Sequence, residues 1–229
     1  MGWSTGLSVL YEDNHLLVVN KPPGIPTQGA SARSDSLIAR ARSYLKQKFH
    51  KPGNAYVGVV SRLDSPVSGV VVFARTSKAA RRLVEQFRSR EVRKRYWALV
   101  EGRPSPATGV CEDWLRYNQG TRRMEVASEN APQAQLAELT YRVVDTFTEF
   151  SLVEVELLTG RKHQIRVQLA RRGWFIVGDE RYGSRRRFPA GIALHARSLA
   201  LVHPTRRETL EFVASLPRSW AALGVRGPR

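Results

Sequence analysis

The feature that most constrains this chain is a succession of short β-type runs. "HLLVVN", "AYVGVVSRL", "SGVVVFAR", "KRYWALVEG", "AELTYRVVD" and "EFSLVEVELL" are rich in β-branched and aromatic residues. They often follow one another with no helix between. In "EFSLVEVELL", Val153, Val155 and Leu157 alternate with Glu154 and Glu156, the period of a strand with one buried face. Around Asn14-His15 the chain reads as two short strands, closed by Pro22, Pro23 and Gly24. Helical spacing interrupts three times. "DSLIARARSYLKQKF" places Leu37, Ile38, Ala41, Tyr44 and Leu45 on one stripe, with Asp35 as N-cap. "SKAARRLVEQFRS", after the cap Thr76, spaces Ala80, Leu83, Val84 and Phe87 for burial and leaves a basic outer face. "RKHQIRVQLARRG" reads as a helix ending at Gly173. No regular strand-helix-strand alternation emerges, so the expected class is α+β with a mixed, mainly antiparallel sheet and flanking helices. "ALHARSLALVHP" is the last recognisable strand.

At 229 residues the expectation is one domain, 1–229, with the polar stretch from about 103 to 135 as a peripheral hairpin or insertion. The balance of 37 basic to 20 acidic residues gives a net charge of +17, which points to a polyanionic partner through phosphate neutralisation. The distribution sharpens this. Arg75 to Arg95 and Arg161 to Arg187 each hold nine basic and two acidic residues, together +14 of the total. Neither run has the apolar opposing face of an interfacial helix, and no apolar run approaches the ~20 residues of a membrane span. The start, "MGWSTGLSVLYEDNH", lacks the basic and apolar regions of a signal peptide, so a cytoplasmic protein is expected. Cys111 is the single cysteine, which excludes an intrachain disulfide and a thiolate zinc site. The five histidines lack metal-ligand spacing, so no metal is expected. The phosphate loop, the G-x-G-x-x-G fingerprint and the G-x-S-x-G elbow are all missing.

What remains is a carboxylate, a tyrosine and an arginine. Asp64, in "SRLDSPVSG", is on spacing alone either a turn former or a nucleophile presented from the lip of a sheet. Tyr96 lies in the strand after the basic helix and Arg166 in the first turns of the later helix. A carboxylate that reacts as a nucleophile needs a nearby cation to stay ionised as solvent is excluded, and Arg166 is the candidate. Arg62, two residues from Asp64 on one strand, points to the same face and reaches nucleic acid. His195, in an apolar strand, reads as structural.

These segments carry a resemblance. "SRLDSPVSGVVVFAR", "KRYWALV", "LLTGRKHQIRVQLA", "GDERYG" and "LHARSLALVHP" resemble, in order, the successive motifs of the RluA-type pseudouridine synthases, and "VLYEDNHLLVVNKPPGIPTQ" resembles the start of that family's catalytic domain. The likeness runs from about Val9 to Pro217. It implies an α+β catalytic domain with a central active-site cleft; many relatives carry an N-terminal S4-like domain, which is not expected here because only a few residues precede the first motif. It also implies isomerisation of uridine in ribosomal or transfer RNA to pseudouridine, without a cofactor and as a monomer. Carried over by motif, Asp64 is the catalytic aspartate, Tyr96 the aromatic near the flipped base, and Arg166 the arginine that pairs with the aspartate. Arg62 resembles the arginine that holds the extruded nucleotide or fills its gap. Arg161, Lys162, His163 and Gln164 are candidates for substrate contacts or for orienting the Arg166 helix. Ser61, Ser65 and Val67 depart from the histidine, arginine and threonine usual at their places. Ser61 and Ser65 keep one competing reading in view, a module on the same scaffold that binds or folds RNA without turnover; charge alone keeps another, a DNA-binding protein.

Overall fold

A computed structural model describes residues 6–29, 35–50 and 52–225. In chain order its elements begin β1 (Ser8–Glu12), β2 (Leu16–Lys21), α1 (Leu37–Lys48), β3 (Gly58–Val59), β4 (Ser68–Ala74), α2 (Ser77–Arg88) and β5 (Arg93–Glu101). They continue β6 (Thr108–Asn118), β7 (Arg123–Ala127), β8 (Gln135–Thr146), β9 (Phe150–Leu157), α3 (Gln164–Arg171), β10 (Leu194–Val202) and β11 (Thr209–Val213). The class is α+β, with a mainly antiparallel sheet and few helices. Two compact units arise, Met1–Val92 with Ala196–Arg229, and Arg93–His195.

In the first unit the strands lie in the order β1-β2-β4-β10, with β11 on β10 and β3 on β4. Leu16 to Val19 and Val70 to Ala74 are unbroken apolar runs because both faces of these strands are covered. Leu16, Val18, Val70 and Val72 pack with Ala79 and Leu83 of α2. The alternate residues Leu17, Val19, Val71 and Phe73 pack with Leu37, Ile38, Ala41 and Leu45 of α1. Ser36, and not Asp35, caps α1 by accepting from the Ala39 amide; Asp35 instead pairs with Arg40 at 2.6 Å. Thr76 caps α2 as expected. Leu83 is buried and Ala80 and Phe87 pack against the same core as expected; Ala79 and Gln86 are buried beside them, while Val84 is half exposed. Gln86 is buried because its amide replaces a strand neighbour: Nε2 donates to the Val202 carbonyl at 2.8 Å and Oε1 accepts from the Val202 amide at 3.0 Å. β11, which the sequence reading did not contain, pairs antiparallel with β10 from Ser198↔Val213 to Val202↔Thr209. Its burial alternates, with only Phe212 fully inside, so its apolar signal is short.

In the second unit the order is β5-β9-β8-β6-β7, joined by antiparallel ladders from β9 onwards on both sides. The polar stretch from 103 to 135 forms β6 and β7, with β6 paired to β8 from Thr108↔Arg142 to Leu115↔Gln135. One face of this ladder, Leu115 and Ala137, packs with Val167 of α3, and Met124, Val126 and Tyr182 close the cluster. Helix α3 starts at Gln164, later than the spacing suggested, because His163 adopts a left-handed conformation at φ 52°.

Candidate active site

Asp64 lies on a turn of the first unit that the chain does not hold by itself. The strand before it ends at Val59, so residues 60–64 are irregular, and the alternation that would put Arg62 and Asp64 on one face does not apply. Arg62 is exposed and Asp64 half-buried. The Val67 amide donates to the Asp64 carbonyl at 3.1 Å, closing the Asp-Ser-Pro turn. A second loop, the Pro-Pro-Gly segment after β2, is knitted to it. Gly24 N donates to Ser65 O at 2.9 Å, and Ser65 Oγ donates to Gly24 O at 2.9 Å. Thr27 Oγ1 donates to Leu63 O at 2.9 Å and accepts from Leu63 N at 3.0 Å. Amides of α1 complete the frame, Leu37 N on Pro26 O and Ile38 N on Thr27 O. Ser65, one of the departures from the family pattern, thus contributes one side-chain bond that fixes the turn.

Lys21 stands at the centre of that frame. It ends the apolar run of β2, is fully buried, and donates from Nζ to the carbonyls of Pro22 (3.0 Å), Ile25 (2.8 Å) and Ser65 (3.0 Å). Burial pushes its ammonium down to about 8, and the Asp64 carboxylate opposes that shift. A buried cation therefore accompanies Asp64 within the same unit. Sequence reasoning missed it. The available signal was a lysine closing a strand that opens on a wholly apolar run, just before two prolines: burial forces such a group to find acceptors, and the following loop supplies carbonyls.

The other expected residues belong to the second unit. Tyr96 sits on β5, half-buried, opposite Val155 of β9. Arg161, Lys162, His163, Gln164 and Arg166 come together at the start of α3. Gln164 is buried and ties the segment before α3 to β8: Oε1 accepts from Thr159 Oγ1 at 2.7 Å and from Arg161 N at 2.9 Å, while Nε2 donates to Glu138 O at 3.0 Å. Arg161 Nε donates to Leu136 O at 3.0 Å. Lys162 is exposed, with Nζ 4.4 Å from the centre of the Tyr117 ring at the end of β6. Arg166 is buried and forks onto Asp179, Nε to Oδ2 at 2.7 Å and Nη2 to Oδ1 at 2.8 Å. Its guanidinium carbon lies 5.0 Å from the centre of the Tyr182 ring. Tyr182 in turn meets His163 Nδ1 at 2.7 Å and accepts from the Met124 amide at 3.2 Å. Asp179 and Tyr182 both come from "GDERYG", a segment to which sequence reasoning gave no role.

The first unit holds a carboxylate on a braced turn beside a buried ammonium; the second, taken by itself, holds a buried guanidinium oriented by Asp179 and a half-buried phenol on β5. Such groups suit nucleophilic or elimination chemistry at an electrophilic carbon. Exposed cations Lys78, Arg81 and Arg88 line the outer face of α2.

Comparison with known proteins bears on the assignment. The family model described as RNA pseudouridylate synthase matches residues 15–171, a span that contains Asp64, Tyr96 and Arg166. A protein of Chloroflexus aurantiacus, named an uncharacterized RNA pseudouridine synthase, is 41% identical over 201 residues, which is 86% of this chain and 62% of that protein. The ribosomal large subunit pseudouridine synthase D of Zymomonas mobilis is 32% identical over 228 residues, 95% of this chain and 71% of that protein. Among solved structures, human RNA pseudouridylate synthase domain containing 4 superposes with a TM-score of 0.79 at 28% identity, over 97% of this chain and 95% of that one. The chain spans a little under two thirds of the length of the Chloroflexus protein. With the ordered motifs, the α+β architecture and the matched span all in agreement, the chain belongs to the RNA pseudouridylate synthase family, of the RluA type.

Proposed function

We propose that this chain isomerises uridine in RNA to pseudouridine, with Asp64 as the reacting carboxylate. The observation that carries the reading is the braced Asp64 turn, with a buried lysine beside it, inside the segment matched by the family. The bond from C1′ of the ribose to N1 of the base breaks, a bond from C1′ to C5 forms, C5 gives up its proton and N1 gains one. A base in a stacked helix cannot turn over, so it must first be extruded, at a cost of a few kcal/mol that phosphate contacts and stacking offset. In this reading Tyr96 packs near the extruded base, and Arg62 holds the nucleotide or fills the gap it leaves. Arg166 is the cation that keeps the reacting carboxylate ionised. Lys162 and the basic face of α2 contact phosphates. Gln164 and Arg161, tied to backbone, orient the start of α3 from behind. The protein acts in the cytoplasm, and the names of the relatives point to large-subunit ribosomal RNA as the substrate.

Release of tritium from ribosomal RNA labelled at uridine C5 tests the assignment. Asp64→Asn is expected to abolish release while RNA binding, read by filter retention, is kept. Release that persists in this variant overturns the role of Asp64. A chain that binds RNA and releases no tritium from any cellular RNA is a binding module instead.

A further inference from the structure

We propose that Asp179 and Tyr182 are positioning residues for Arg166, holding its guanidinium in one orientation from two directions. The inference rests on the reading of Arg166 as part of the catalytic machinery. An arginine on the first turn of a helix has several rotatable torsions, and nothing in α3 itself selects among them. Here the selection comes from a loop 13 residues downstream. The Asp179 carboxylate takes the Nε and Nη2 edge in two parallel bonds of 2.7 and 2.8 Å, which fixes the plane of the group as well as its place. The Tyr182 ring lies against the guanidinium, 5.0 Å from its carbon.

Both holding groups are themselves held. The carbonyl of Asp179 accepts from the amides of Tyr182 at 3.0 Å and Ser184 at 3.1 Å, and its amide donates to Ile176 O at 2.9 Å. The Tyr182 hydroxyl is fixed by His163 Nδ1 and by the Met124 amide. "GDERYG" is thus a rigid turn whose side chains converge on one arginine.

Stability alone does not call for this device. The side chains of Arg166 and Asp179 are only 5% and 2% exposed, and a buried ion pair of this kind is often no more stabilising than apolar residues of the same volume. What it does supply is an immobile cation. With the Nε and Nη2 edge taken by Asp179, the remaining N–H donors of the guanidinium keep a fixed direction. A charge that must meet a reacting group needs this kind of fixing, because a displacement of about 1 Å lowers turnover by about a hundredfold.

The test uses Asp179→Asn, Asp179→Glu, Tyr182→Phe and Arg166→Lys, with kcat and KM for RNA measured by tritium release and normalised to the folded fraction from circular dichroism. Asp179→Asn should leave KM within about threefold and lower kcat about a hundredfold. Asp179→Glu keeps the charge and shifts it by one methylene, so kcat should fall there too; it carries the test if Asp179→Asn does not fold. Tyr182→Phe keeps the ring and frees it from His163 and Met124, for a smaller loss of kcat. Unchanged kcat per folded molecule in both Asp179 variants, with Arg166→Lys inactive, overturns the positioning role and leaves the Arg166 assignment standing. Full activity in Arg166→Lys overturns the assignment beneath it.

Discussion

Lys21 donates from Nζ to the carbonyl of Ser65 at 3.0 Å, tying the last residue of β2 to the residue after Asp64, 44 positions along the chain. The same ammonium holds Pro22 and Ile25, so one side chain sets the separation of two loops. Lys21→Met keeps much of the volume and removes all three donors. It is expected to lower stability by about 3 kcal/mol in urea titrations, because buried carbonyls lose their partners. It should also reduce tritium release per folded molecule, since the Asp64 turn loses a brace. Wild-type release from a folded Lys21→Met protein would place the brace elsewhere.

The acidity of Lys21 predicts an alkaline limit. Its ammonium is pushed down to about 8 by burial, against the pull of Asp64. Below that pH three N–H donors meet three carbonyls; above it the neutral amine has two donors and no charge. Activity is therefore expected to decline as pH rises through about 8, well before an exposed lysine would titrate at about 10.4. A pH profile of kcat for the unsubstituted protein checks this, and Lys21→Arg, always protonated, should lack the limb at lower overall activity.

Gly69 is a second point of constraint. It pairs with Lys21 across β2 and β4, at φ +118°, and a Cβ there would lie 2.6 Å from the Ala196 amide nitrogen. The obstacle is backbone, so no side chain can swing aside. Gly69→Ala should cost about 3 kcal/mol or more, through strain and displacement of β10. Thermal unfolding would show it as a large fall in Tm.

Asp13 makes stability depend on acid. Burial works to raise its carboxyl, but the amides of His15 and Leu16, the Tyr11 hydroxyl and His203 outweigh burial and hold it at about 2. An unfolded aspartate titrates near about 3.9. The folded state therefore binds fewer protons between these values, so the stabilisation is complete above about pH 4 and is lost as pH falls through about 2. For this partly buried group it amounts to about 2 kcal/mol. Unfolding free energies of Asp13→Asn should be lower than wild type at pH 7 by that order, and the two proteins should converge near pH 2. Parallel curves over that range would rule out Asp13 as the origin.

Much of the architecture was legible because the signals were local. The runs "LLVV" and "VVVFA" named fully buried strands, and Thr76 sat where a cap belongs. Elsewhere the deciding partner was far away in sequence. Gln86 is buried in α2 because Val202 offers it both backbone groups, which no helical wheel contains. Asp35 and Ser36 are both good caps, and Arg40 chose between them by claiming Asp35. The alternation that linked Arg62 to Asp64 failed because only Gly58–Val59 forms a strand there. Among the proposed site residues, Asp64, Tyr96 and Arg166 stand out in the sequence through their motifs. Lys21 and Asp179 were overlooked because their meaning lies in partners 44 and 13 residues away.

The paired bonds between the Gln86 amide and Val202 make a helix side chain do the work of one strand residue. The backbone groups that Val202 turns towards α2 are thereby satisfied within the chain, and helix and strand end are tied together.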